Sequence, residues 1–165
     1  MKRFVVSALI LLLIAGSGLL YVRSQQRTPV AHTTVTTRRI NDATADQYLA
    51  LVNAERAKVS VKPLTVDQRL VASASRKGAE LVVEGWDSTP HVSNGGKHGF
   101  EYAHEAVPEC KYTSENLLSG ATTAKDGMNW WIHSPAHYKA LTNPKFDTTG
   151  ISLSGTFVVQ HFCDL

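Results

Sequence analysis

The chain has 165 residues and a formal charge of +3, from 17 Lys and Arg against 14 Asp and Glu. Six of the bases (Lys2, Arg3, Arg23, Arg27, Arg38, Arg39) precede residue 40 and no acid does, which leaves 11 bases against 14 acids, or −3, for the remainder. A folded part of that sign, with no basic stripe interleaved with aromatics, excludes nucleic acid as a partner.

The chain opens "MKRFVVSALILLLIAGSGLLYVR", in which residues 4–22 are nineteen uncharged, mostly apolar positions. That run approaches the ~20 residues of a membrane-spanning helix and exceeds the ~7–15 of a signal-peptide core, and no A-x-A cleavage pattern follows it. The expectation for residues 1–22 is an uncleaved signal anchor, with a cleaved signal peptide as the alternative. Either one exports the rest as an extracytoplasmic or secreted domain. Residues 23–42 are polar, Thr-rich and without apolar period, which reads as a linker. Residues 43–165 then suit one compact domain. Export gives Cys110 and Cys163 a meaning: an even count in an oxidising compartment implies a disulfide. Neither lies in a nucleophile motif, and two cysteines do not make a structural zinc site.

Thr44 with Gln47 is a capping-box start, and Tyr48, Leu51, Val52 and Glu55 follow at helical spacing, so a first helix is expected over 45–59. Thr65 with Gln68 repeats the capping pattern. A second helix is expected from there to about Glu84, burying Leu70, Val71, Ala74, Gly78, Leu81 and Val82. "GWDSTPHVSNGGKHGFEY" (85–102) reads as a long loop from its Gly, Pro, Asn and Ser content. "KYTSENLL" is compatible with a strand, and a third helix is expected around 123–133. The spacing of His133 and His137 would place both on one helix face, but Pro135 between them removes a backbone donor and clashes with the preceding turn. A helix ending near His133, with Ser134 capping a new one over 135–142, separates the two histidines. "TTGISLSGTFVVQHFC" reads as a closing β-hairpin turning at Ser154-Gly155. Helices early and strands late argue an α+β layered domain.

Standard catalytic signatures are absent: no G-x-S-x-G elbow, no H-E-x-x-H pair and no phosphate loop. His104 beside Glu105, Ser114 beside Glu115, and Ser93 near His91 specify no nucleophile and base. What stands out is His91 in the long loop, Glu115-Asn116 in the expected strand and His137 opening the last helix. Two imidazoles and a carboxylate suit a divalent ion with an open position for water. Alternatively Glu115 orients a histidine from behind, or each residue is satisfied locally as a loop or cap group.

The segments "YLALVNAERAKVSVKPLTVDQRLVASASRKGAEL", "PHVS", "SENLLSG", "WWIHSPAHYKALTNPKFDTTGISL" and "FVVQHF" together resemble the bacterial branch of the CAP superfamily, or SCP domain. This group includes pathogenesis-related proteins, venom allergens and cysteine-rich secretory proteins. The resemblance covers residues 45–162 and rests on Asn-x-x-Arg, Glu-Asn and Ser-Pro-x-His-x-x-x-Leu occurring in that order. It implies an α-β-α sandwich around a small antiparallel sheet, with an open cleft of two histidines and two acids that can hold zinc or another divalent cation. By motif, the cleft residues here are His91, Glu115 and His137, with His91 and His137 as metal ligands and His133 outside the set. The family's fourth position, an acid three residues after the helix tryptophan, is Ser134. Trp131 reads as core packing. The resemblance implies a His/Glu cleft for a ligand or divalent metal without established catalysis, with a lipid or sterol as one candidate ligand. A weak metal-dependent hydrolase with Glu115 as base, and an adhesive surface module with a cell-surface protein partner, are the alternatives.

Overall fold

The structure, a computed structural model, describes residues 40–87 and 89–165. The segment expected to anchor the chain, and all but the end of the expected linker, lie outside the described residues. Among the described residues no helix is long and apolar enough to cross a membrane.

The elements in order are α1 (Ile40–Lys58), β1 (Thr65–Val66), α2 (Gln68–Glu84), α3 (Gly99–Ala106), β2 (Thr113–Ser119), α4 (Ala124–His133), α5 (Pro135–Leu141), β3 (Thr148–Ser154) and β4 (Phe157–Cys163). The strands form one sheet in the order β1-β3-β4-β2. β4 is antiparallel to both neighbours, while the two-residue β1 runs parallel to β3. Helices α1, α4 and α5 pack on one face, and α2 and α3 on the other. The result is the three-layer α-β-α sandwich expected of an α+β chain, with β2 at the sheet edge opposite β1.

Successive strand side chains point to opposite faces, so the central strand must be buried on both. All seven residues of β4 are buried. Val158 and Phe162 join Tyr48, Val52, Trp131 and Ile151 in the core beneath α1 and α4. Phe157 and Val159 join Ala74, Leu81 and Leu117 beneath α2. The expected face of α2 is present in Leu70, Ala74, Gly78 and Leu81, but Val82 points outward at 54% exposure. The helix sits so close to the sheet that a Cβ at Gly150 on β3 would collide with the α2 backbone at Leu70 and Val71.

Several boundaries differ from expectation. α1 begins at Ile40, upstream of Thr44, which therefore lies inside the helix. α2 is capped by Asp67, whose carboxylate accepts the Arg69 N–H at 2.8 Å, while Thr65 belongs to β1. Within the expected 85–102 loop the chain folds back on itself through the Val92–His98 bridge and then starts α3 at Gly99. The Glu101 carboxylate takes the His98 N–H and closes that first turn. Gly and Asn content masks this helix because its cap is a histidine and not Ser, Thr, Asp or Asn. Ser134 does stand between α4 and α5, with Pro135 at the first helical position, but its side chain makes no cap hydrogen bond.

Asn53 and Arg56, the Asn-x-x-Arg pair of α1, tie the connections down. Asn53 pairs with the Leu64 backbone through both amide atoms, at 2.8 and 3.1 Å. Arg56 is fully buried and donates to the carbonyls of Lys62, Leu141, Asn143 and Phe146, at 2.7–3.0 Å. Arg56→Met keeps most of the packing volume but strands four carbonyls. The expected loss is at least about 3 kcal/mol, since bonds from a charged donor contribute ~1.5–3 each and do not add fully. Urea denaturation followed by tryptophan emission measures it.

Cys110 and Cys163 form the expected disulfide, with Cα atoms 5.5 Å apart at a sequence separation of 53. It joins the α3–β2 connection to the end of β4 at a buried spot beside Leu70 and Val107. A closed loop of that length stabilises by about 4 kcal/mol in the chain-entropy model. Reduction is expected to remove most of that in a denaturant titration, and a thiol reagent should label nothing in the unreduced, unfolded chain.

Candidate functional site

Glu115 lies on β2, opposite His161 in the antiparallel register with β4. Directly opposed residues share a sheet face within contact range, and this pair faces the α2–α3 layer. Glu115 Oε2 is 3.0 Å from His161 Nε2, and Oε1 is 2.8 Å from Nδ1 of His91. The His161 ring is fully buried, and its Nδ1 lies 2.7 Å from Oγ of Ser73 on α2. Ser73 Oγ is also 2.9 Å from the Leu70 carbonyl. A hydrogen-bonded chain therefore runs from inside α2, through Ser73, His161 and Glu115, to His91 at the surface.

Ser, His and Glu in that order invite comparison with a nucleophile triad, but Ser73 is 1% exposed and faces the sheet. No substrate reaches it. The open end is His91, whose side chain is 47% exposed, above a Glu115 side chain at 3%. His91 is held by its backbone: its carbonyl accepts the Gly99 N–H at 2.8 Å, so the start of α3 pins it over Glu115. A Cβ at Gly99 would collide with the Glu115 carboxylate, so only glycine leaves room for the acid at the first residue of α3. That helix end also favours a negative charge.

His137, the third residue of α5, approaches from the other layer. Asn116 Nδ2 donates to its carbonyl at 3.2 Å. Glu115 and Asn116 thus divide the work of a two-faced strand, one carrying His91 and the other holding the backbone of His137. The two imidazole rings stand 6.4 Å apart, tilted by 39°. His133 is elsewhere, its Nδ1 turned back 2.7 Å from the Asn129 carbonyl. Glu105, beside His104, pairs with Lys97 and Arg76 and takes no part.

Beside His137 a pocket of about 310 Å³ opens between Trp86, Leu117, Trp130, Trp131 and Ser134. Trp131 is a core residue at 1% exposure, its Nε1 donating to the Leu117 carbonyl at 3.0 Å, and it floors this pocket. Trp86 and Trp130 are exposed at 46% and 67%. Ser134, at the position where the resemblance implies an acid, gives this wall a hydroxyl.

Among the described residues no three His, Cys, Asp or Glu side chains gather into a set able to hold a metal ion. Glu115 has each oxygen engaged by an imidazole, which places it behind His91 and not among free ligands. Sequence reading missed His161, Ser73 and Gly99. One signal was available: "FVVQHFC" carries two polar residues in an otherwise apolar run, and buried polar groups need partners.

Burial pushes the Glu115 carboxyl up, but hydrogen bonds from His161 and His91 outweigh it and leave the group below its ordinary value of 4.5. Burial, aided by the nearby His91, holds His137 below its ordinary 6.5 and favours the neutral ring.

The chain belongs to the cysteine-rich secretory protein (CAP) family, whose model matches residues 49–162. It is 28% identical over 118 residues to the uncharacterized protein YkwD of Bacillus subtilis, covering 70% of this chain and 45% of that protein. An extracellular SCP-domain protein of Bacillus anthracis has the same fold, with a TM-score of 0.70 at 20% identity over 76% of this chain and 42% of its own. An outer surface protein of Borrelia burgdorferi matches at 0.68 and 22% identity, over 74% of this chain and 93% of its own. The chain thus spans less than half the length of YkwD and of the Bacillus anthracis protein.

The two shifted groups both lower stability as pH falls, in different pH windows. A depressed carboxyl contributes stability above its unfolded value, lost as pH falls through the folded one. A depressed histidine lets the unfolded chain bind the proton first, so stability falls as pH drops below about 6.5. Urea denaturation across pH should therefore show a shallower decline from about pH 6.5 in His137→Gln. In Glu115→Gln the decline below about pH 4.5 should be shallower, from a lower starting stability. Slopes equal to the parent chain in both variants would remove these assignments.

Proposed function

We propose that the chain is an exported CAP-family binding protein, held at the membrane by residues 1–22, whose cleft takes a lipid or sterol-like ligand. The carrying observation is the juxtaposition of the His91–His137 pair with the tryptophan-lined pocket beside His137. An apolar body would rest against Trp86 and Trp130, and a polar end would meet the imidazoles; few polar groups converging on an apolar pocket suit small-ligand binding. Export agrees with the Cys110–Cys163 disulfide, since such bonds persist in oxidising compartments. The extracellular and outer-surface relatives point the same way.

A divalent ion fits this cleft only as a weakly held guest. His91 and His137 would be its protein ligands, with solvent or ligand atoms supplying the rest, and the Glu115 carboxylate would orient His91 from behind. Bound zinc would polarise a ligand oxygen or acidify a water. Hydrolysis with Glu115 as base is disfavoured because both its oxygens are engaged by imidazoles. The hydroxyl of Ser134 adds no charge to replace the missing acid.

All three tryptophans of the chain line this pocket, so intrinsic emission reports on it directly. A long-chain fatty acid or a sterol is expected to shift that emission, and Trp130→Ala to weaken the half-saturation at least fivefold. Zinc titration by calorimetry should show weak binding that disappears in His91→Ala and His137→Ala. Unchanged emission with both apolar ligands would overturn the binding reading and favour an adhesive module with a protein partner.

A further inference from the structure

The buried end of the hydrogen-bonded chain has a role that packing alone does not require. We propose that His161, steadied by Ser73, is a positioning residue: it holds Glu115 as an acceptor and thereby fixes His91 in the tautomer whose bare Nε2 faces the cleft. This deepens the reading of the cleft as a binding site, because it names the atom of His91 that meets a ligand or metal.

A charged carboxylate only accepts, so Nε2 of His161 and Nδ1 of His91 must both carry the proton toward Glu115. Two arrangements of the inner end satisfy this. Ser73 gives its proton to the Leu70 carbonyl and accepts from a doubly protonated His161, or it gives the proton to Nδ1 of a neutral His161. In both, His161 donates to Glu115 Oε2 at 3.0 Å and His91 donates to Oε1 at 2.8 Å. With its Nδ1 proton committed, a neutral His91 has its lone pair on Nε2.

Without His161, Oε2 would be buried and unpartnered beneath α3, which costs the full desolvation of a charged group. The carboxyl would relieve this by turning, which takes Oε1 out of line with His91 Nδ1 and leaves that ring free to carry its proton on Nε2. A fully buried ring, with Glu115 between it and His91, thus decides whether the cleft sees an acceptor or a donor.

The test is the imidazole nitrogen-15 spectrum of the full chain at about pH 8, where unperturbed histidines are neutral. In the parent chain His91 is expected with a protonated Nδ1 and a bare Nε2, and His161 with a protonated Nε2. His161→Leu removes the donor and should raise the Nε2–H form of His91 several-fold. His161→Gln keeps an N–H for Oε2 and should restore the parent pattern, which a purely structural role would not require. Melting curves establish which variants are folded. If His161→Leu does not fold, the parent chain and His161→Gln decide. A bare Nε2 on His161 or an Nε2–H form of His91 in the parent overturns the proposal. So does an unchanged His91 in folded His161→Leu, or an Nε2–H form in folded His161→Gln. None of these readings needs a ligand, so failure to bind zinc or lipid would sink the function proposed above and leave this inference standing.

Discussion

The guanidinium of Arg56 is the interaction on which the layered arrangement depends. It is buried in the last turn of α1 and holds carbonyls from Lys62 and from residues 141–146. Those carbonyls end α5 and lead into β3, segments with little regular structure to satisfy their polar groups. A planar donor with five N–H groups can gather several acceptors in one place. A charge buried in this way is tolerable only because its donors are used, and that requirement fixes where α5 leaves the core. The position of His137 at the other end of a seven-residue helix follows from it.

The cleft is a second consequence of geometry rather than of any catalytic motif. β2 is an edge strand, so its neighbours along the open side are helix starts and loops, not another strand. Its alternation sends Glu115 toward α2 and α3 and Asn116 toward α5. Glu115 is held by two imidazoles, and Asn116 by a backbone carbonyl of the opposite layer. The adjacent pair acts as a rivet between the two helical layers at the β2 edge of the sheet. His91 and His137 come within one ring contact because each is attached to a different side of that rivet.

Much of this was legible in the sequence, for reasons that differ by element. The apolar spacing of α2 and the Ser134-Pro135 break between α4 and α5 are local signals, and both led to the right helices. The break also correctly separated His133 from His137. α3 was missed because its first turn is closed by His98 and Glu101, a cap outside the usual residue preferences. His161 was missed for a different reason: its partner is set by strand register, which pairs residues 46 positions apart and leaves no trace in local pattern. Gly99 belongs with it, since the need for glycine there exists only once the Glu115 carboxylate is beneath it. Asn53 and Arg56 carried the family resemblance, yet their work lies in holding connections and not in the cleft.

Ser134, at the position where the resemblance implies an acid, bears directly on what the cleft would do. With an acid there, two carboxylates would flank two imidazoles, and one could remain free to handle a proton or complete a metal's ligands. With serine, Glu115 is the one acid of the cleft among the described residues, and its two oxygens are already committed to His91 and His161. The polar part of the cleft is therefore reduced to two imidazoles and a hydroxyl, set against an apolar wall of three tryptophans. Burial further disfavours the charged form of His137. Such a surface has hydrogen bonds to offer and little charge to spend on a transition state. On the reading proposed above, such a cleft would hold a largely apolar molecule by one polar end, with His91 Nε2 as the directional contact.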